Sequence, residues 1–275
     1  VGLIRAVAPG ARKPKSKLGG RSELFVVNDL LLSHGRSLDR ISQAESLESY
    51  PRLSRDLAKL TVSQYWAEII LYQTPSHEPN VALFDLICQR LNDLVCCDSG
   101  VPVLVHLVCG IAQLLELDGM TPQLEHCCLS GQPVCAETLG SGRVVFSPNA
   151  GGVVLPTAEV MEDQGRITGS QVRERSSRYR QGGNSHRSTG KTTLTLSPSE
   201  LTLMQRLFQT QDLASQSNAF PSELLRLTDA TQEWLKIERV LRCYVQYHTE
   251  RLIRSAALLD SCFPSHSVAV SALHP

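Results

Sequence analysis

The sequence predicts an α+β protein in which strands come first and helices follow, and three observations lead to this prediction. Residues 1–49 contain short runs with Val, Ile and Phe, bounded by Pro and Gly, as strands are. From about residue 50 the apolar residues recur at helical spacing. Of the 275 residues, 42% are hydrophobic and 20% are charged, which is typical of a globular chain with a buried core. This composition excludes a collagen-like, a wholly disordered or a membrane-spanning protein.

The N-terminal segment contains three candidate strands. The first is the run VGLIRAVA, which a Pro-Gly turn ends, and the second is SELFVVNDLLLS, which ends at a turn around Gly35. The third is SLDRISQAESL, for which a helix beginning near Ser42 is the alternative. Between the first two strands lies the stretch ARKPKSKLGGR, in which Pro14 and a Gly-Gly pair predict a loop.

Three packed helices are expected between residues 50 and 120, the first part of a helical domain. Residues 53–72 carry apolar side chains around most of the helix circumference, as a core helix does. The next two helices each have one apolar stripe. The stripes are Leu83, Phe84, Ile87, Leu91 and Leu94 in one helix and Leu104, Leu107, Val108, Ile111 and Leu115 in the other.

The middle of the chain has little periodicity. Residues 121–156 are predicted to be irregular. Residues 157–193 are predicted to be a disordered basic linker, because few of them are apolar and most are Ser, Gly, Arg, Gln or Thr.

Residues 194–275 are expected to form the second part of the helical domain. In the stretch SPSE, Ser197 is the predicted N-cap of a helix, Pro198 its first residue and Glu200 the partner in a capping box. The last helix is expected to run without a break from Thr228 to Leu259. Its apolar stripe comprises Trp234, Ile237, Leu241, Tyr244, His248, Leu252 and Ala256, and His248 is expected to be a hydrogen-bonded core residue.

The net charge is zero, with 27 Lys and Arg against 27 Asp and Glu, but the charges are not evenly distributed. Residues 1–21 contain only basic and no acidic side chains. The basic residues are Arg5, Arg12, Lys13, Lys15, Lys17 and Arg21. Cations at this density can neutralise nucleic-acid phosphates, so these are the candidate DNA-binding residues. The alternative is a helical adaptor whose basic loop binds an acidic protein partner or a membrane surface.

No motif in the sequence predicts an enzyme or a cofactor. The triplet Gly190-Lys191-Thr192 lacks the upstream glycine of a phosphate-binding loop, since Ser185 stands there, and no apolar strand precedes it. The hypothesis of a nucleotide-dependent enzyme therefore rests on this triplet alone.

Metal binding is not expected either. The crowded group His126, Cys127, Cys128 and Cys135 has no second ligand pair, which a structural zinc site needs. The odd count of nine cysteines, with two adjacent pairs and no secretory signal, predicts free thiols in the reducing cytosol.

Four stretches of the sequence resemble the RecO family of recombination mediators. GLIRAVAPGARKPKSKLGGRSELF is similar to the middle of the family's N-terminal OB-fold. LDRISQAESLESYPRLSRDLAKLTVSQYWAEIILYQTPSHEPNVALFDLICQRLNDL is similar to the helical part that follows, as are LLELDGMTPQLEHC and the terminal IRSAALL. The resemblance covers nearly the whole chain outside residues 157–193.

The resemblance implies that residues 1–49 are the C-terminal part of an OB-fold barrel, followed by a mainly α-helical domain. Since the chain begins at Val1 inside a predicted strand, we expect the first strands of the barrel to precede it. The resemblance also implies a non-enzymatic mediator of the RecF pathway that binds single- and double-stranded DNA and anneals single strands. Its implied partners are RecR, RecF, single-strand-binding protein and RecA, which it helps to load, and its implied location is the cytoplasm at the nucleoid.

Some members of this family hold zinc through two CxxC pairs. Cys127 matches the first of these ligands, but Ser130 stands at the second. In the segment GGVVLP, Val and Leu stand where the later cysteines would begin. The resemblance therefore also implies that residues 121–156 are a zinc-ribbon-like remnant and that this chain binds no zinc.

Overall fold

The computed structural model describes residues 2–97, 103–156, 194–214 and 231–263, and every structural statement below refers to these residues. Contacts divide the chain into two compact units. Residues 1–119, 220–235 and 249–275 belong to the first unit, and residues 120–219 and 236–248 belong to the second. The predicted basic linker, residues 157–193, lies outside the described residues.

The first unit begins with a three-stranded sheet. Its strands are β1 (Ala6–Val7), β2 (Val26–Ser33) and β3 (Asp39–Ser49), in the order β1-β3-β2. Strand β1 pairs with β3 in parallel, and β2 pairs with β3 antiparallel. The third predicted strand is therefore confirmed over its helical alternative, and the α+β fold class is confirmed as well.

The β2–β3 pair contains two irregularities, which fall between Val27 and Asn28 and between Leu31 and Leu32. At each of them, β3 has one residue more than β2, as in a β-bulge. Bulges bend and twist a strand pair, and they shift which side chains share a face. The alternation of apolar residues in β3 is for this reason only moderately clean in the sequence.

Three helices follow the sheet, as predicted: α1 (Leu57–Gln73), α2 (Val81–Cys96) and α3 (Val103–Leu117). Helix α1 begins later than its apolar pattern suggests, because residues 53–55 form a separate 3-10 turn. The side chain of Asp56 then caps α1 by accepting the backbone N–H groups of Ala58 and Lys59 at 2.9 and 3.2 Å.

Helix α3 is the centre of the first unit's core. All five residues of its predicted stripe are buried, and the indole Nε1 of Trp66 in α1 donates to the carbonyl of Leu107 at 3.1 Å. The stripe of α2 is narrower than predicted. Leu83, Leu91 and Leu94 are buried, whereas Phe84 is 54% exposed because it lies at the border of the apolar face.

The second unit contains a small antiparallel sheet where irregular structure was expected. The sheet consists of β4 (Val144–Ser147), β5 (Gly152–Val154) and β6 (Thr195–Leu196), in the order β5-β4-β6, and a short helix, α4 (Ala136–Leu139), precedes it. These strands have two to four residues, and three successive residues of β4 are buried. Strands this short, buried on both faces, have no alternation that a sequence could show.

The predicted capping box is confirmed at the start of α5 (Pro198–Ala214). The hydroxyl of Ser197 accepts the backbone N–H of Glu200 at 3.2 Å, and the carboxylate of Glu200 accepts the N–H of Ser197 at 2.8 Å. Two N–H groups at the helix start are thereby satisfied by side chains.

The prediction of one unbroken final helix is wrong. The chain forms α6 (Thr231–Thr249) and a separate α7 (Ala256–Cys262), and the intervening Glu250 has a left-handed φ of +53°. Glu68 in α1 stabilises the start of α7, since its carboxylate accepts the N–H groups of Arg254 and Ser255 at 2.9 and 3.0 Å and the Ser255 hydroxyl at 2.8 Å. The break is set by this long-range partner.

Two residues of the predicted final stripe, Leu252 and His248, are not buried as expected. Leu252 lies between the two helices and is 76% exposed. His248 is exposed near the end of α6, where its ring lies edge-on to those of Tyr244 and Tyr247 at centroid distances of 4.4 and 5.3 Å. It is thus an exposed aromatic contact and not a core histidine. No helix in the described ranges is long and apolar enough to cross a bilayer.

Candidate nucleic-acid interface

The segment between β1 and β2, residues 8–25, is called the basic loop below. It consists of successive backbone turns, in which the N–H groups of Lys13, Ser16 and Gly19 donate to carbonyls three residues earlier at 2.9, 3.1 and 3.3 Å. Gly10 and Lys15 have positive φ angles of 77° and 64°, which these turns require. The basic loop therefore has a defined backbone path of consecutive turns.

The basic loop presents most of the candidate cations to solvent. Arg12, Lys13, Lys15 and Lys17 are all exposed, and they fall within six consecutive residues. Arg5 is exposed too but stands apart, immediately before β1, where its carbonyl accepts the N–H of Asp39 at 3.1 Å. The structure thus brings four of the six predicted residues together.

Arg21 differs from the other candidates because it is half-buried and holds the basic loop against the sheet. Its guanidinium donates to the carbonyl of Ala44 in β3, and its own carbonyl accepts the side-chain amide of Asn28 in β2 at 2.8 Å. These two contacts join the end of the loop to both strands. Arg21 is therefore first of all an anchor of the loop.

A groove of about 600 Å³ lies between the basic loop and the β2–β3 pair. Lys17, Leu18 and Arg21 line it from the loop, and residues 29–31 and 42–45 line it from the strands. Two carboxylates, Asp29 and Glu45, are among the lining residues. The groove is thus basic on its loop side and acidic on its strand side.

The exposed cations of the basic loop are suited to ionic contacts with phosphates. Each such contact releases a counterion from a nucleic acid, so binding weakens steeply with salt and does not depend on base sequence. Phe25, the last residue before β2, is the one aromatic residue of the basic loop, and residues 12–17, which carry the four exposed cations, contain none. An interface on these cations therefore contacts the backbone of a nucleic acid and offers no ring for base stacking.

Sequence reasoning missed the acidic side of the groove. Asp29 and Glu45 are 16 positions apart in the sequence, and they become direct cross-strand partners only through the observed register of β2 and β3. That register includes the two irregularities, which no pattern in the sequence marks. One signal in the sequence could have drawn attention to this site, because Asp29 is the one acidic residue in the apolar run of β2.

The thiol group expected not to bind zinc lies in the second unit and is held by backbone donors. The Sγ of Cys127 accepts the N–H groups of Ser130 and Leu155 at 3.4 and 3.3 Å. Burial raises the pKa of this thiol, but hydrogen bonds from Ser130, Leu155 and Leu129 outweigh burial and lower the pKa to about 7. In the part of the chain that the structure describes, no three His, Cys, Asp or Glu side chains are grouped as metal ligands would be.

Comparison with known proteins gives two family-model matches that together cover most of the chain. Residues 1–50 match the model for the recombination protein O N-terminal domain, and residues 54–257 match the model for the recombination protein O C-terminal domain. The first match assigns the three-stranded sheet to a domain of the OB-fold type. The triplet Gly190-Lys191-Thr192 lies within the second match but outside the described residues.

Curated relatives agree with the family models. A protein of Acaryochloris marina named "DNA repair protein RecO" is 45% identical over 95% of this chain and 86% of its own length. Proteins with the same name from Cyanothece sp. and Gloeothece citriformis are 43% and 40% identical. These alignments cover 98% and 96% of this chain and 89% and 88% of the two relatives.

Proposed function

Because the chain belongs to the recombination protein O family, we propose that it is a DNA repair protein that binds DNA and has no catalytic activity of its own. In this proposal it works in the RecF pathway, anneals complementary single strands and helps to load RecA onto DNA coated with single-strand-binding protein. RecR and RecF are its further proposed partners, and the cytoplasm at the nucleoid is its proposed location.

The observation that carries the proposal is the group of exposed cations on the basic loop. Arg12, Lys13, Lys15 and Lys17 are presented by consecutive turns, with Arg21 anchoring the end of the loop. A mediator has to act on any sequence, and contacts to phosphates carry no sequence information.

The same loop supports annealing for two physical reasons. Two DNA strands repel each other through their phosphates, and cations bound along one strand reduce that repulsion. A protein that stacks bases on its aromatic rings occupies the base faces that must stack in the new duplex, whereas residues 12–17, with the four exposed cations, carry no aromatic ring. A strand held through its phosphates keeps its bases available to a complementary strand.

The proposal is tested by measuring how fast the protein anneals two complementary oligonucleotides at low salt. We expect the triple variant K13A/K15A/K17A to anneal the strands more slowly than the wild type, because three phosphate contacts are lost. The matched control is R52A/R55A/R251A, which removes three exposed cations that do not belong to the basic loop. This control is expected to anneal like the wild type.

Three results would contradict all or part of the proposal. Equal slowing by both triple variants would mean that overall charge matters and the basic loop does not. An absence of DNA binding by the wild type, together with binding of the basic loop to acidic peptides or anionic vesicles, would favour the adaptor alternative. ATP hydrolysis by the purified protein would contradict the non-enzymatic part of the proposal.

A further inference from the structure

Two carboxylates of the sheet stand directly opposite each other beside the basic loop. Asp29 in β2 pairs with Glu45 in β3, and both side chains are exposed. Opposed residues in a strand pair project from the same face, with Cβ atoms about 5 Å apart, so the two negative charges share one face of the sheet. Within the described ranges neither carboxylate has a basic side chain at ion-pair distance.

This carboxylate pair belongs to the same surface region as the cations. Asp29 and Glu45 line the groove that Lys17 and Arg21 line from the other side. Interactions between exposed charges extend about 10 Å at 0.1 M salt, and the cations and carboxylates here line one groove. A phosphate chain bound at the basic loop is therefore attracted by the loop cations and repelled by the sheet carboxylates.

We propose that Asp29 and Glu45 make the basic loop selective for single-stranded over double-stranded DNA. This inference rests on the proposed function, because it concerns which form of DNA the loop accepts. The carboxylates do not bind the nucleic acid in this proposal. They repel a phosphate chain that passes over the sheet.

The selectivity follows from the charge density and stiffness of the two forms of DNA. A duplex carries about one charge per 1.7 Å of its axis, which is twice the density of one strand. A duplex held at the loop is a stiff rod with two backbones, so it cannot turn its second backbone away from the sheet. A single strand is flexible and has one backbone, which can follow the cations and avoid the carboxylates.

The experiment measures the affinities of the full chain for a single-stranded oligonucleotide and for the duplex of the same sequence, at low and at high salt. The variant D29N/E45Q keeps the shape of both side chains and removes both charges. From screened Coulomb interactions with a few phosphates, we expect its duplex affinity to rise about five-fold at low salt. Its affinity for the single strand should change less, and the gain should vanish at high salt.

The matched control is E78Q/D85N, which removes one Glu and one Asp that are exposed but lie outside the sheet. If D29N/E45Q and this control change both affinities equally, net charge explains the effect and the inference is wrong. An unchanged ratio of duplex to single-strand affinity in D29N/E45Q also overturns it. If the wild type binds neither form of DNA, or if K13A/K15A/K17A binds as the wild type does, the proposed function itself fails.

Discussion

His106 in α3 is a buried histidine whose charge state is set by its surroundings. It is only 4% exposed, and its pKa is lowered to about 4 by burial first and then by the positive charges of Arg90 and Lys59. Arg90 is itself buried and ion-paired to Asp93, with 2.9 Å between Nη2 and Oδ2. His106 is therefore neutral in the folded protein near pH 7.

This neutral histidine predicts a loss of stability in mild acid. In the unfolded chain the pKa returns to its ordinary value of 6.5, so below that pH the unfolded state binds a proton that the folded state does not. The contribution of His106 to the free energy of unfolding should fall by about 2 kcal/mol between pH 6.5 and pH 5. Urea unfolding at several pH values measures this fall.

The variant H106Q should lose less stability than the wild type over the same pH range. The control is H126Q, since the side chain of His126 is exposed. H126Q should lose as much stability as the wild type over this pH range. If H106Q and the wild type show the same slope, His106 is not the group responsible.

The Sγ of Cys127 accepts hydrogen bonds from protein donors. Two backbone N–H groups point at this Sγ, and Ser130 stands where the family resemblance implies the second zinc ligand. We predict that the purified protein contains no stoichiometric zinc, because structural zinc needs four ligands. Elemental analysis checks this. One zinc per chain, with unfolding on chelation, would contradict it.

At the scale of elements, the crossing of α1 and α3 depends on Gly110. A Cβ atom at this position would come within 2.3 Å of the indole of Trp66, so a larger residue cannot fit without moving the ring. A Gly-to-Ala change inside a helix normally stabilises by up to about 1 kcal/mol. In this helix the close approach to Trp66 reverses the sign.

We therefore predict that G110A destabilises the protein by about 1–3 kcal/mol, the usual cost of overpacking a core. Thermal or urea unfolding gives the measurement. In the control G20A the added Cβ meets no atom within 4 Å, and its stability should be close to that of the wild type. Equal or higher stability of G110A would show that the two helices are not packed as described.

The sequence predicts those elements whose signals are local, and it fails where the cause is a distant residue. The sequence predicts the capping box at Ser197 and Glu200 and the stripe of α3, because the residues of each lie a few positions apart in one helix. The end of α6 was not predicted, because residues 250–255 contain neither Gly nor Pro. Their conformation depends on Glu68, far away in the sequence.

The same distinction holds for the candidate interface. Its cations were found because they are concentrated in one loop, and four of the six lie together on exposed turns. The anchoring role of Arg21 was not predicted, since its partners Asn28 and Ala44 are brought to it by the sheet. The opposition of Asp29 and Glu45 depends on strand register, which the bulges of β2 and β3 decide.

At the scale of the whole molecule, the chain has zero net charge, and in the proposed function it contacts DNA through the local concentration of positive charge on the basic loop. A protein of this kind gains affinity from a few phosphate contacts and from no general attraction to a polyanion. The number of those contacts can be measured, because each one contributes to the salt dependence of binding.

The most direct test is therefore a salt titration of binding to a single-stranded oligonucleotide, with the wild type and K13A/K15A/K17A measured side by side. The wild type should give a linear fall of log affinity with log salt. The variant should bind more weakly to every sequence, with a slope shallower by about 2, since each contact to a single strand contributes about 0.7. Equal slopes and affinities for the two proteins would show that the basic loop does not contact DNA, and would contradict the account at its centre.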